Sequence, residues 1–240
     1  MDGTISLGIY DSTGKLVRIL HREATAAEFV PALDGFITHW DGLDDSGQPL
    51  PPGRYSARGY MVGALTIRAL PSPPAIPSPA QAILQTSTNA DSHTDIIETG
   101  FAFNFPNGKP FVQQPKIHVS LMANPLDRDR SGSAELAAGI DATGSWLQLA
   151  DGLPLKQIGT APNLKWAALG RFAPGEPVVL FQSDVAPNRQ VGAGPDGQWS
   201  FTGAPTIQAY SITKVSNMMA FDCGPFDFAA PTPASASPAP

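Results

Sequence analysis

The chain contains a single cysteine, Cys223, among its 240 residues. One cysteine excludes an intrachain disulfide and also excludes zinc motifs built on paired cysteines. The apolar stretch just before it, Met218 to Phe221, favours a small buried apolar side chain over a reactive thiol. We therefore expect Cys223 to be buried.

Charged residues are also scarce, at 15% of the chain with a net charge of −6. Lys and Arg occur singly, so no basic cluster is available to neutralise phosphates and we expect no nucleic-acid partner. No apolar run approaches the ~20 residues of a membrane helix. Met1 to Thr4 has neither the basic nor the apolar region of a signal peptide. These absences predict a soluble chain without membrane insertion.

The sequence is rich instead in turn residues, with 25 prolines and 23 glycines, which predicts an all-β fold of short strands. Residues 4–10 alternate so that Ile5, Leu7 and Ile9 share one face of a strand. A turn at residues 11–14 and a returning strand at residues 15–20 follow. Residues 21–34 are interpreted as a loop with one helical turn at residues 25–29.

The stretch from Trp40 to Tyr55 joins strands at residues 36–40 and 54–62. Its Asp-Asp-Ser-Gly sequence favours a tight turn, and Pro51-Pro52-Gly53 keeps the chain extended. Asp41, Asp44 and Asp45 offer oxygen ligands for calcium, but aspartates also suit turns and the distal glutamate of an EF-hand is missing. We favour the turn and predict no metal and no cofactor.

Three groups of residues occur here in a familiar order: Ile9 to Arg18, Trp40 to Gly47, and Leu50 to Tyr55. Together they resemble the Ig-like domain of flagellar hook-capping proteins over residues 3–62. The resemblance implies a small β-sandwich without chemistry of its own. We place this domain at residues 1–70, followed by a Pro-rich linker at residues 71–82.

Residues 83–230 continue with alternating strands, including those around Phe101 to Phe105 and around Trp166. Part of this region resembles H-type lectin domains, on the residues Phe111, Pro115 to Leu121, Asp127, Asp141 to Gly144, and Trp166-Ala167. The resemblance covers about residues 95–170 and implies a second antiparallel β-sandwich that binds galactose-type sugars as a homo-oligomer. Extra strands run to residue 228, and the tail at residues 231–240 is predicted to be disordered.

The candidate ligand-binding residues are Asp127, Arg128, Arg130 and Trp146. The resemblance places a sugar-contacting aspartate at Asp127, and a carboxylate beside guanidinium groups can hold adjacent hydroxyls by charge-assisted hydrogen bonds. The tryptophan ring could stack on a sugar. The alternatives remain open: a solvated loop whose charges pair at the surface, and a tryptophan buried in the core.

No catalytic arrangement is recognisable, because the histidines are dispersed and no nucleophile motif is present. We therefore predict that the chain is not an enzyme. The first hypothesis is a glycan-binding or adhesion component of a bacterial surface or phage particle, located outside the cell, on its surface or in the virion. The alternative is a structural subunit of a virion, appendage or filament, with neighbouring subunits as its partners.

Overall fold

The structure is a computed structural model that describes residues 3–33, 35–71, 80–88, 94–104, 110–113, 117–121, 133–160, 162–171, 176–190, 198–201, 206–213 and 218–229. These residues form nineteen strands and one turn of 3₁₀ helix at Ala26–Glu28. The strands are β1 (Gly3–Asp11), β2 (Leu16–Ala24), β3 (Val30–Ala32), β4 (Gly35–Ile37), β5 (Gly53–Gly63), β6 (Thr66–Ala69), β7 (Ala80–Thr88), β8 (Thr94–Asn104), β9 (Pro110–Gln113), β10 (Ile117–Ser120), β11 (Ser133–Asp141), β12 (Gly144–Leu149), β13 (Pro154–Gly159), β14 (Trp166–Arg171), β15 (Val178–Ser183), β16 (Pro187–Gln190), β17 (Gln198–Phe201), β18 (Ile207–Thr213) and β19 (Met218–Phe228).

The strands form three sheets and a separate hairpin. Sheet I has the order β19-β5-β1-β2, and sheet II has the order β10-β11-β12-β13. Sheet III has nine strands in the order β16-β17-β7-β8-β9-β14-β15-β18-β6, and β3 pairs only with β4. Neighbouring strands run antiparallel, and the predicted all-β class is confirmed.

Two strands that precede the predicted linker pair with strands that follow it. The last strand, β19, pairs with β5, so that Phe228 lies opposite Gly53 and Met218 lies opposite Val62. In sheet III, β6 pairs with β18. Strand β19, which lies among the extra strands predicted to follow the lectin-like region up to residue 228, therefore belongs to sheet I. In addition, residues 80–82, the last part of the predicted linker, begin β7.

Strand β1 is buried on both faces, which explains its unbroken run of small and apolar residues. Ile5, Leu7 and Ile9 pack under the segment at residues 29–50 and against aromatic side chains of β19. On the opposite face, a Cβ at Gly8 would stand 2.5 Å from Leu16 Cδ1 and 3.1 Å from Leu153 Cδ1. A larger residue at position 8 would have to displace these two leucine side chains.

One hydrophobic core joins all three sheets. Strand β13 contacts β1, β2 and β5 of sheet I, while β11 contacts β14 of sheet III. Burying each of these large aliphatic side chains stabilises the fold by ~1.5–3 kcal/mol, so the sheets are held mainly by apolar contact. The buried members are Val62, Ile117, Val119, Ala134, Leu136, Leu147, Leu149, Leu153, Leu155, Ile158, Leu169, Val178, Leu180, Ile212 and Met218.

Two local predictions have different outcomes. The helical turn is confirmed at Ala26–Glu28, where Glu28 Oε1 accepts a hydrogen bond of 2.7 Å from the Thr25 backbone N–H. The expectation that Cys223 is buried is wrong, because the residue is exposed on edge strand β19. Side chains of β19 alternate between the core of sheet I and solvent. A bulge between Asp222 and Pro225 interrupts this alternation, so the sequence pattern does not show which side chains are buried.

Candidate functional site

Of the sequence-predicted ligand residues, Asp127, Arg128 and Arg130 lie outside the described residues. Trp146, on β12, is only 5% exposed. The Arg22 guanidinium lies 4.9 Å from the centroid of its ring, in cation–π geometry. Trp146 therefore packs at the contact between sheets I and II, and its ring offers no open face for a sugar.

The acidic turn at residues 41–48 uses its carboxylates locally. Asp44 Oδ1 accepts hydrogen bonds of 2.8 Å from the backbone N–H groups of Ser46 and Gln48. Asp45 Oδ1 accepts one of 2.9 Å from the Ile19 N–H on β2. Arg18 lies 3.8 Å from Asp41 and 3.9 Å from Asp45. These contacts give the aspartates a structural role, which is the interpretation favoured from the sequence.

A pair of ion pairs, which we call the ion-pair junction, links β2 to sheet II. Arg22 pairs with Asp141 at the end of β11, and Glu23 pairs with Lys156 on β13. Glu23 Oε2 also accepts a hydrogen bond of 3.0 Å from the Gln157 backbone N–H. Neighbouring residues of one strand thus contact two strands of another sheet, which adds polar contacts to the apolar core between the two sheets.

Glu23 adopts an unusual backbone conformation with a φ of 53°. This left-handed region is sparsely populated by residues with a Cβ and carries strain of about 1–3 kcal/mol. The Glu23 backbone N–H donates a hydrogen bond of 3.1 Å to Ser6 Oγ, and its carboxylate is held by Lys156. These partners on two sheets stabilise the strained conformation.

Two residues of the junction have shifted pKa values. Burial alone would raise the pKa of the Asp141 carboxyl, but hydrogen bonds from Thr143 and contacts with Trp146 and Arg22 outweigh it and lower the pKa to about 2. Among the described residues, none accepts a hydrogen bond from Trp146 Nε1, so its effect is that of a nearby dipole. Burial lowers the pKa of the Lys156 ammonium.

The hairpin formed by β3 and β4, here called the apolar hairpin, exposes large apolar side chains. Leu33 at its tip is 98% exposed and Val30 is 58% exposed, while Phe36 and Ile37 are 43% and 44% exposed. Val30 lies opposite Ile37, whereas Phe36 lies opposite Pro31 on the other face of the ribbon. Both faces of the hairpin are therefore apolar and open to solvent.

Two contacts anchor the apolar hairpin to sheet I. The rings of Phe36 and Phe29 have centroids 5.6 Å apart, and Phe29 is buried against the His21 ring at 4.3 Å. Thr38 Oγ1 and His21 Nε2 share a hydrogen bond of 2.7 Å. Burial lowers the pKa of His21, which favours the neutral ring in this contact. An isolated two-stranded hairpin is marginal in water, so these anchors hold it in place.

Our sequence interpretation missed this hairpin because it treated residues 21–34 as a loop. A signal was present, however. Asp34-Gly35 stands between the apolar runs Val30 to Leu33 and Phe36-Ile37, and Asp-Gly between apolar runs is a strong hairpin signal.

In the part of the chain that the structure describes, no three His, Cys, Asp or Glu side chains are grouped as metal ligands would be. Within the same residues, no helix has the length and apolar character required to cross a membrane. No protein-family model, curated protein or solved structure matches the chain.

Proposed function

We propose that this chain is a non-catalytic structural component of a larger assembly and that it contacts a neighbouring protein through the apolar hairpin. The observation that carries the proposal is the exposure of Leu33, which is 98% accessible at the tip of a ribbon with apolar side chains on both faces. Large apolar side chains exposed together on one element are typical of interaction sites. The family resemblances suggest a cell surface or virion as the location.

The anchoring of the hairpin supports the same proposal. Phe29 and His21 hold its base against sheet I, so the apolar side chains are presented on a fixed ribbon. A pre-organised element loses less conformational entropy on binding than a flexible loop does. Strands from both ends of the chain pair in sheets I and III, which ties the hairpin-bearing sheet to the rest of the protein.

Glycan binding stays a prediction. It rests on Asp127, Arg128 and Arg130, with Trp146 as the stacking ring. Because Trp146 is 5% exposed beneath Arg22, a sugar site at those residues would have to work without it. An aromatic platform supplies much of the contact area in sugar recognition, so this burial favours the structural alternative.

Two measurements on the full chain separate these functions. We expect a glycan array to stay blank, and the uncharged apolar dye Nile red to bind the full chain and to bind Leu33→Ser more weakly. Leu33 is almost fully exposed, so its replacement leaves the core intact. Capture of a glycan that survives Leu33→Ser and is lost in Asp127→Ala would overturn the structural proposal in favour of glycan binding.

A further inference from the structure

The apolar hairpin lies next to an acidic segment of the chain. Residues 24–53 contain five acidic residues, Glu28, Asp34, Asp41, Asp44 and Asp45, and no Lys or Arg. Among the described residues, Arg18 pairs with Asp41 and Asp45 of this segment and offsets one of the five negative charges. The apolar side chains are therefore next to a net negative surface.

The charges lie close to the hairpin because both are attached to the same strand. Asp45 accepts a hydrogen bond from the Ile19 backbone N–H, and Thr38 shares a hydrogen bond with the His21 ring. Ile19 and His21 both belong to β2 and are about 7 Å apart at the usual rise of a strand. Asp41 and Asp45 keep 52% and 51% of their side chains exposed. Glu28 is exposed immediately before the hairpin. We call Glu28, Asp41 and Asp45 the acidic rim.

A stable protein interface needs about 800 Å² and roughly 20–30 residues from each partner. The apolar hairpin is far shorter than that, so an interface centred on it must extend over the acidic rim. If two copies met through this same face, their rims would be brought together, and like charges placed opposite each other oppose association. Charge complementarity thus disfavours a symmetric pair of hairpins.

We infer that the partner of the apolar hairpin is a protein surface with an apolar groove bordered by Lys and Arg side chains. The inference rests on the proposed function and adds the chemistry of the partner. A groove is required because apolar side chains project from both faces of the ribbon. A basic border is required because it pairs with Glu28, Asp41 and Asp45 and also selects against copies of the same face.

The first test uses the full chain and three fluorescent peptides of equal length, which alternate Leu–Lys, Leu–Glu or Ser–Lys. Fluorescence anisotropy should show Leu–Lys binding at least about tenfold more tightly than either of the others, because it alone combines an apolar face with positive charge. Leu33→Ser should remove this preference. Ile140→Ser, which changes an exposed apolar residue on sheet II, should leave it intact.

The second test removes the charge of the acidic rim while keeping its hydrogen bonds, with the triple variant Glu28→Gln, Asp41→Asn and Asp45→Asn. The matched control is Glu176→Gln, Asp184→Asn and Asp227→Asn, which changes the net charge equally elsewhere. The rim variant should weaken Leu–Lys binding by about tenfold and should reduce its salt dependence. If the chain self-associates in a way that Leu33→Ser abolishes, the rim variant should weaken that association as well. The control variant should change neither peptide binding nor self-association.

Equal binding of Leu–Lys and Leu–Glu would overturn the basic border, and equal binding of Leu–Lys and Ser–Lys would overturn the groove. Self-association that becomes stronger in the rim variant would identify a second copy of the same face and reject the inference. Adsorption to phosphatidylcholine vesicles that depends on Leu33 would reject it in favour of a lipid surface. In each case a blank glycan array leaves the structural function standing, whereas a glycan captured independently of Leu33 removes that function itself.

Discussion

The ring of Phe228 lies against the α-carbon of Gly42, so that a Cβ built at position 42 would stand 2.4 Å from Phe228 Cζ. Gly42 belongs to the acidic turn near the start of the chain, and Phe228 ends its last described strand. Trp40 lies on the same ring, with centroids 4.7 Å apart. The end of the chain is therefore a packing partner of the turn around which the first sheet is arranged.

Gly42→Ala should destabilise the protein more than Gly47→Ala does. Both glycines lie in the same turn with a φ of 78° and 76°, but nothing lies within 4 Å of a Cβ at Gly47. Gly47→Ala should lower the free energy of unfolding by about 1–2 kcal/mol through backbone strain alone. Gly42→Ala should lose about 1–3 kcal/mol more, because the methyl group overlaps Phe228.

The two variants are compared by urea unfolding, with Phe228→Ala as the third member of the set. In the Phe228→Ala background the excess penalty of Gly42→Ala should disappear, since the overlapping ring is gone. An excess that persists without the ring would show that the contact between Gly42 and Phe228 does not cause it.

A fragment of residues 1–70 should not fold as an independent unit. Without β19, strand β5 loses its neighbour, and the core around Leu7 and Ile9 loses Phe221, Phe226 and Phe228. We expect circular dichroism of the fragment to lack a cooperative unfolding transition. Addition of a peptide spanning residues 218–229 should restore one, whereas a scrambled peptide should not. Cooperative unfolding of the fragment alone would contradict the shared sheet.

The sequence predicted those parts of the fold that depend on neighbours along the chain. Alternation placed Ile5, Leu7 and Ile9 on one face of β1, and the Asp-Ser-Thr-Gly turn placed β2 after it, because both patterns arise from local backbone geometry. The pairing of β19 with β5 was not predictable in the same way. It joins residues more than 150 positions apart, and no local pattern specifies which strand fills a sheet edge.

In the candidate site, too, contacts between residues close in the sequence were predictable and contacts between distant residues were not. The turn role of Asp44 was predictable because its hydrogen bonds reach only two and four residues along the chain. The ion-pair junction joins Glu23 to Lys156 across separate sheets, and scattered single charges carry no signal of such a pairing. Trp146 was a candidate because a tryptophan ring can stack on a sugar, whereas in the structure it is buried and contacts Arg22, a residue 124 positions away.

Glu23→Gln should destabilise the chain by about 1–3 kcal/mol, because it leaves the partly buried Lys156 ammonium without its counter-ion. The matched control is Glu28→Gln, which removes an exposed charge and retains a side-chain oxygen for the Thr25 N–H. Lys156→Gln alone should also destabilise the chain. The double variant Glu23→Gln with Lys156→Gln should lose less stability than the sum of the losses in the two single variants. Additive losses in urea unfolding would contradict direct coupling of the pair.

The stability supplied by Asp141 should depend on pH in a defined window. Its folded-state pKa is lowered to about 2, below the ordinary aspartate value of about 3.9, so the folded state favours the carboxylate. The contribution is thus fully present above about pH 4 and is lost as the pH falls through the folded-state pKa. Because the side chain remains partly exposed, solvent screening limits the contribution to about 1–2 kcal/mol.

Asp141→Asn should therefore unfold at lower urea concentration than the wild type at pH 7, and the difference should shrink steadily between pH 4 and pH 2. At the acid end, wild-type Asp141 is protonated and resembles the neutral asparagine, so the two curves should meet. Asp227→Asn, which changes an exposed carboxylate on β19, serves as the control for loss of a negative charge. A difference between Asp141→Asn and wild type that stays constant down to pH 2 would show that the lost stability comes from packing and not from the charge of the carboxylate that Thr143 and Arg22 stabilise.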